Sequence, residues 1–328
     1  MAPPKGFEDI NELCGSIANL YPLSVFTAVY SGLLLVCTVP LNYLLLYSIL
    51  HGRTRGCLNL FYKLILNIAS ADLLTGLIGD TASVYFHIKE AQGKEISPSE
   101  LHLLHLTLFI FDAVALTTLT LLSIDRLVAL LLPIKYHTGI GHNGARWIVG
   151  LVWPFSFLSA APYFKIYFIR QLALFSSLSI LFAVVSLVVT LVIYRRRTLR
   201  RIKTHRRQSV DMSSDSRQNC ASLPAVIRTQ KKATRSFVVM LCVFVVTYLP
   251  TCFTAVYMNS CTIEKNCAFV HVLRDVSILS ILSSSVLRPL TFLLSVKHLR
   301  TTAKHIFLPR NTKNNTMRGV QVHPNRSY

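Results

Sequence analysis

The sequence predicts an all-α membrane protein: a seven-transmembrane helix bundle with a short amphipathic cytoplasmic helix after the last span. Of its 328 residues, 52% are hydrophobic and only 15% charged, too apolar and too poor in charge for an ordinary soluble domain of that length. The apolar residues are gathered into long runs, and a helix needs about 20 of them to cross a hydrocarbon core of about 30 Å. Seven runs approach or exceed that length: 21–50, 58–86, 101–132, 147–164, 171–194, 236–258 and 268–296.

Each run is justified in turn by what bounds it. Only Lys165 and Arg170 interrupt the apolar sequence between 147 and 194, so spans four and five are joined by a very short loop. Pro40, Pro154, Pro250 and Pro289 lie inside spans, where neighbouring helices can satisfy the freed carbonyls. The net charge of +20 does not indicate nucleic acid, because the basic residues are distributed by loop rather than along one soluble face. Most of the 34 Lys and Arg fall on one side if the N-terminus is outside, which is the positive-inside pattern. The implied organisation is an extracellular segment 1–20, a membrane domain 21–296 with a basic cytoplasmic loop 195–235, an amphipathic helix 297–307 and a cytoplasmic tail 308–328. In that helix Val296, Leu299, Ala303 and Ile306 recur at helical spacing, with Lys297, Arg300 and Lys304 elsewhere around it, as in an interfacial helix.

Cysteine usage argues against a disulfide framework. Cys37, Cys242 and Cys252 fall within apolar spans, and Cys57 and Cys220 face the reducing side. Cys261 and Cys267 flank a short stretch of the sixth-to-seventh outer loop. A bridge there, worth roughly 2 kcal/mol by chain-entropy arithmetic, is expected over two free thiols.

Several short motifs fall on successive spans in a fixed order. Asn42 follows Pro40 in span one, and Asn67-Ile68-Ala69-Ser70-Ala71-Asp72 lies in span two. Asp125-Arg126-Leu127 ends span three, Trp153 lies in span four and Tyr194 ends span five. Phe244 precedes Thr247-Tyr248-Leu249-Pro250 in span six, and Arg288-Pro289-Leu290-Thr291-Phe292 lies in span seven. With these residues the chain resembles the rhodopsin-like (class A) G-protein-coupled receptors, as an atypical member. The resemblance implies a receptor without enzymatic activity or cofactor, placed in the plasma membrane. It would bind an extracellular ligand and engage a heterotrimeric G protein, with arrestin and receptor kinases as further partners. The rivals are a non-coupling seven-helix scaffold or decoy receptor and a seven-helix membrane hydrolase. The hydrolase would need deep His and Asp metal ligands, and no histidine lies at the depth of the buried aspartates. An opsin is disfavoured because Leu282 stands where the resemblance would place a Schiff-base lysine.

By resemblance, the switch for G-protein coupling comprises Asp125, Arg126, Tyr194 and Gln230, with Gln230 standing where the family often has an acid. Phe244, Tyr248 and Pro250 form the activation aromatics and their kink. The central polar core is Asn42, Asp72, Ser285, Arg288 and Phe292. Here the chain departs from the family, whose aspartate equivalent to Asp72 commonly binds sodium with a polar residue of span seven. Arg288 occupies that place, and a guanidinium fork can satisfy a carboxylate in two bonds, so an Asp72–Arg288 pair is expected. The alternative is that Arg288 snorkels toward the cytoplasm and leaves Asp72 uncharged.

In the outer half, Leu101 stands where span three usually has its disulfide cysteine. The short second outer loop and Ser186 in span five resemble the melanocortin, lysophospholipid and cannabinoid branches. Asp112 lies close to four helical turns before Arg126, and with Asp80, Phe109 and Tyr248 it forms the candidate ligand pocket. The structural alternative for each aspartate is a hydrogen bond to a neighbouring helix. His87, His102, His105 and His271 also collect near the outer surface, where solvated histidines are expected rather than a metal site.

Overall fold

Tyr21–Leu50 forms one helix of 30 residues. It fills the first run from end to end, and continues on both sides of Pro40. The structure is a computed structural model that describes residues 21–51, 60–131, 142–161, 241–254, 256–257, 267–296 and 299–303, with scattered positions between 177 and 239. Among these residues there is no strand. Four helices are long and apolar enough to cross a membrane: Tyr21–Leu50, Leu60–Ala91, Ser99–Arg126 and Ala268–Ser295, with Leu241–Thr254 as a shorter apolar helix. His142–Ala160 is a helix over most of the fourth run, and scattered helical positions from 177 to 193 fall in the fifth run. The chain is an all-α bundle whose helices alternate in direction. One end carries Arg126; the other carries Arg274.

Observed boundaries differ from the periodicity at the ends. Span two runs to Ala91 rather than 86, and span three starts at Pro98 rather than 101. The reason is a polar cap that hydropathy does not register. Ser97 precedes Pro98 at the first helical position, the Ser97 N–H donates to Glu100 Oε2 at 2.8 Å, and the Glu100 N–H reaches Ser97 Oγ at 3.4 Å. This is a capping box that satisfies amide groups at the helix start. Lys89 closes the corner with 2.7 and 2.8 Å contacts to the Glu100 carboxylate. Gly93, at φ +63°, adopts the left-handed conformation that lets the chain turn between the two helices.

Span two is not a uniform α-helix. Leu60–Leu74 and Thr81–Ala91 are joined by the π-helical turn Thr75–Asp80. In an ideal α-helix Asp80 would sit about 80° around from Asp72. The wider i→i+5 winding takes most of that rotation back, to roughly the same face. Both carboxylates are accordingly buried, each at 0% exposure. The turn contains Gly76 and Gly79. A Cβ on Gly76 would stand 2.9 Å from Thr38 Cγ2 and 3.2 Å from Thr38 Cβ, so only glycine lets spans one and two approach this closely here.

Two apolar clusters bracket a polar middle. Toward the Arg126 end, Leu45, Ile49, Leu64, Ile65, Ile68, Leu122, Phe244 and Leu293 pack spans one, two, three, six and seven, and Leu299 and Ala303 join them. Toward the Arg274 end, Leu34, Phe86, Leu104, Leu108, Ile278 and Leu282 join spans one, two, three and seven. The outward faces are apolar too: Val36 is 70% and Leu158 72% exposed, the pattern of a bundle solvated by lipid.

Polar side chains fasten the helices, in one case where a proline removes a backbone bond. Pro289 has no N–H for the carbonyl of Ser285. Asn42 Nδ2 donates to that carbonyl at 3.0 Å, and also to Thr38 O at 2.9 Å. Asn67 ties three spans: its Nδ2 donates to Thr118 Oγ1, and its Oδ1 accepts from Trp153 Nε1, both at 2.8 Å. Asn42→Leu should lower stability by about 1–3 kcal/mol, since it strands a buried acceptor. Thermal unfolding in nanodiscs reads this directly, and an unchanged midpoint would deny the carbonyl's dependence on Asn42.

Candidate functional site: a buried ionic core

Arg288 is placed by span seven one residue before Pro289, with its side chain turned into the bundle at 4% exposure. Its Nη2 lies 2.7 Å from Asp72 Oδ1, so the guanidinium does not snorkel to the membrane surface. The contact is a close charge pair without hydrogen-bond alignment, because neither Asp72 oxygen has an aligned partner among the described residues. The expected two-bond fork is therefore not formed. Arg288 is shared instead: Nη1 donates to Tyr248 Oη at 3.4 Å and stands 4.0 Å from Asp112 Oδ1. Tyr248 donates its own hydroxyl hydrogen to Asp112 Oδ1.

This sharing has an electrostatic consequence. One guanidinium sits between two carboxylates in a region of low dielectric, so removing it would leave two buried acids facing each other without compensation. Tyr248 makes the arrangement continuous, linking spans two, three, six and seven. Its ring lies 4.6 Å from that of Phe244, and both are buried, so a movement of span six bears directly on the Asp112 contact.

Asn42 touches this layer through the Ser285 carbonyl, while Ser285 Oγ has no hydrogen-bond partner among the described residues. Phe292 is buried in the apolar cluster beside it. Asp112 and Tyr248 belong to the ionic core. Phe109 packs with Ala113 and Ala160. Asp80 is fully buried, with neither carboxylate oxygen hydrogen-bonded among the described residues. Pro250 lies within the Leu241–Thr254 helix. Tyr194, Gln230 and Cys261, and the side chain of Cys267, lie outside the described residues, so the proposed bridge is not part of the description.

At the opposite face of the membrane domain, Arg126 Nε donates to Asp125 Oδ2 at 2.9 Å, with the Asp125 side chain buried at 1% exposure. The Arg126 guanidinium also lies 4.1 Å from the centre of the Phe61 ring, a cation–π contact. Phe61 carried no signal in the motif pattern, since an aromatic residue at the start of an apolar span is indistinguishable from packing.

A second ionic cluster lies at the Arg274 end. Arg274 Nη2 donates to Glu90 Oε1 and Nε to Asp275 Oδ1, both at 2.8 Å. His87 Nδ1 lies 3.2 Å from Glu90 Oε2. Ser24 and Thr27 donate to Glu90 Oε2 and Asp275 Oδ2 at 2.9 and 3.2 Å. This corrects the expectation of solvated histidines for three of the four: His87, His105 and His271 are buried at 0%, 3% and 2% exposure, His87 because span two continues past its apolar run to Ala91 and the other two because they face neighbouring helices, while His102 is partly exposed. The adjacent charges Arg274-Asp275 inside an otherwise apolar run were the legible hint.

Residues 41–172 match the family model of the 7 transmembrane receptor (rhodopsin family). The matched stretch holds Asn42, Asp72, Asp112, Asp125, Arg126 and Trp153. No curated protein matches the chain at a significant level.

Proposed function

We propose that the chain is a receptor of the rhodopsin-family seven-transmembrane type, the family whose model matches residues 41–172, and that it passes the binding of an extracellular ligand to heterotrimeric G proteins by rearranging its helices. The proposal places the chain in the plasma membrane with its N-terminus outside, as the distribution of Lys and Arg suggests.

The observation that carries the reading is Arg126. It sits at the end of span three, paired with a buried carboxylate and stacked on Phe61, and its side chain keeps 21% exposure. A guanidinium held by a neighbour from its own helix and by a ring of span two is released when those helices separate, and its fork then suits carbonyl or carboxylate acceptors of an incoming helix. The ionic core supplies the coupling path: span six is joined to span three through Tyr248 and Asp112, and to span seven through Arg288.

A non-coupling scaffold is the second reading, favoured by one observation: the two buried carboxylates already share an internal cation, which would lock spans two, three and seven together. Nucleotide exchange separates the two. With a panel of Gα subunits in cell membranes, the receptor reading expects basal or ligand-raised exchange that Arg126→Ala reduces at least tenfold at equal surface expression. A flat response across the panel, or exchange untouched by Arg126→Ala, overturns it.

A further inference from the structure

The cluster at the Arg274 end divides each carboxylate between two tasks. One oxygen of each, Glu90 Oε1 and Asp275 Oδ1, faces Arg274 at 2.8 Å. The other two oxygens face hydroxyl groups of span one, and Glu90 Oε2 also faces the His87 ring at 3.2 Å. His87, Glu90 and Asp275 can each offer one ligand atom such that all three lie within 4.8 Å of one another.

Three further facts point to an ion. The cluster holds two carboxylates and one guanidinium, a surplus of one negative charge in a buried place when the imidazole is neutral. Both ring nitrogens of His271 are buried without a hydrogen-bond partner among the described residues. His271 lies one turn before Asp275, within electrostatic reach of Glu90, Arg274 and Asp275. Finally, the 3.2 Å separation of His87 Nδ1 and Glu90 Oε2 is close to the edge of a tetrahedron with metal–ligand bonds of about 2.0–2.1 Å, roughly 3.3 Å.

We propose that His87, Glu90 and Asp275 form a binding site for a zinc-like divalent transition-metal ion, with water in the fourth position. The donor set decides the class of ion. An imidazole with two carboxylates suits zinc, whereas calcium takes six to eight oxygens. Arg274 stays on the outer oxygens and orients both carboxylates, in the way carboxylate ligands are held by outer partners in metal sites. Glu90, with 15% of its side chain exposed, gives the ion its entry. Because His87 and Glu90 belong to span two, and Asp275 to span seven, the ion would clamp the ends of these two helices, with Ser24 and Thr27 of span one beside it.

The test uses full-length protein without a histidine tag, in nanodiscs, titrated with zinc alone. Micromolar zinc is expected to raise the unfolding midpoint by several degrees, while calcium or magnesium at a hundredfold higher concentration does not. His87→Gln and Asp275→Asn should each weaken zinc binding at least tenfold, and His102→Gln should leave it unchanged. Since Asp275→Asn also removes a partner of Arg274 and could prevent folding, cobalt on the unaltered protein gives a second reading: an intense visible band of four-coordinate cobalt. The proposal is overturned by the absence of a zinc shift, by an undiminished shift in His87→Gln, by equal stabilisation with calcium, by the weak spectrum of six-coordinate cobalt, or by stabilisation that acid alone produces. These readouts are independent of nucleotide exchange, so the metal site and the coupling proposal stand or fall separately.

Discussion

Arg288→Met is expected to destabilise the membrane domain by about 3–5 kcal/mol, the cost of breaking a buried ion pair by removing one partner. The size follows from the geometry rather than from the hydrogen bonds, which are few. Asp72 loses its 2.7 Å contact, and Asp112 loses the cation 4.0 Å away, so two carboxylates are stranded at once. Adding Asp72→Asn should recover a large part of the loss, because it removes one stranded charge. Two changes that act on one network are non-additive, and a double-mutant cycle in nanodiscs measures the coupling. If the costs of Arg288→Met and Asp72→Asn simply add, the pair has no energetic meaning. The same core predicts that replacing sodium by choline leaves the unfolding midpoint of the native protein unchanged, since Arg288 already supplies the cation beside Asp72. A strong sodium-specific stabilisation would contradict that.

Gly76→Val is expected to prevent stable insertion of a folded domain, whereas Gly79→Ala should be mild. Both glycines lie in the π turn of span two, so helix propensity does not distinguish them. Their neighbours do. At Gly76 the first added carbon already meets Thr38 Cγ2 at 2.9 Å and Thr38 Cβ at 3.2 Å, and a Cβ cannot move without its backbone. At Gly79 the nearest atom is Leu108 Cδ2 at 3.1 Å, the far end of a flexible side chain. Overpacking typically costs about 1–3 kcal/mol, and valine adds two more carbons against a helix that cannot retreat. Surface expression and the unfolding midpoint of the purified protein report the difference. Equal behaviour of the two variants would show that span one yields at Thr38.

The bundle was legible because a lipid-spanning helix must satisfy its backbone internally and present apolar side chains, and both demands leave long runs in the sequence. Arg288 opposite Asp72 was legible for a related reason, since an arginine and an aspartate inside apolar runs each need a partner. The ends of spans two and three were not, because a capping box and a corner ion pair look like loop chemistry. Nor was the π turn, whose two glycines read as ordinary small residues until Thr38 is placed against them.

Composition and periodicity by themselves determined that this chain is helical and built for lipid, and order along the chain determined which polar residues belong to which span. Only the tertiary structure decided how those residues share charge. Tyr248 joins Asp112 to Arg288, and Glu90 meets Arg274 across 184 positions of sequence. Such partnerships depend on how helices rotate and approach one another, and that is set by side-chain packing between segments, which no single segment encodes.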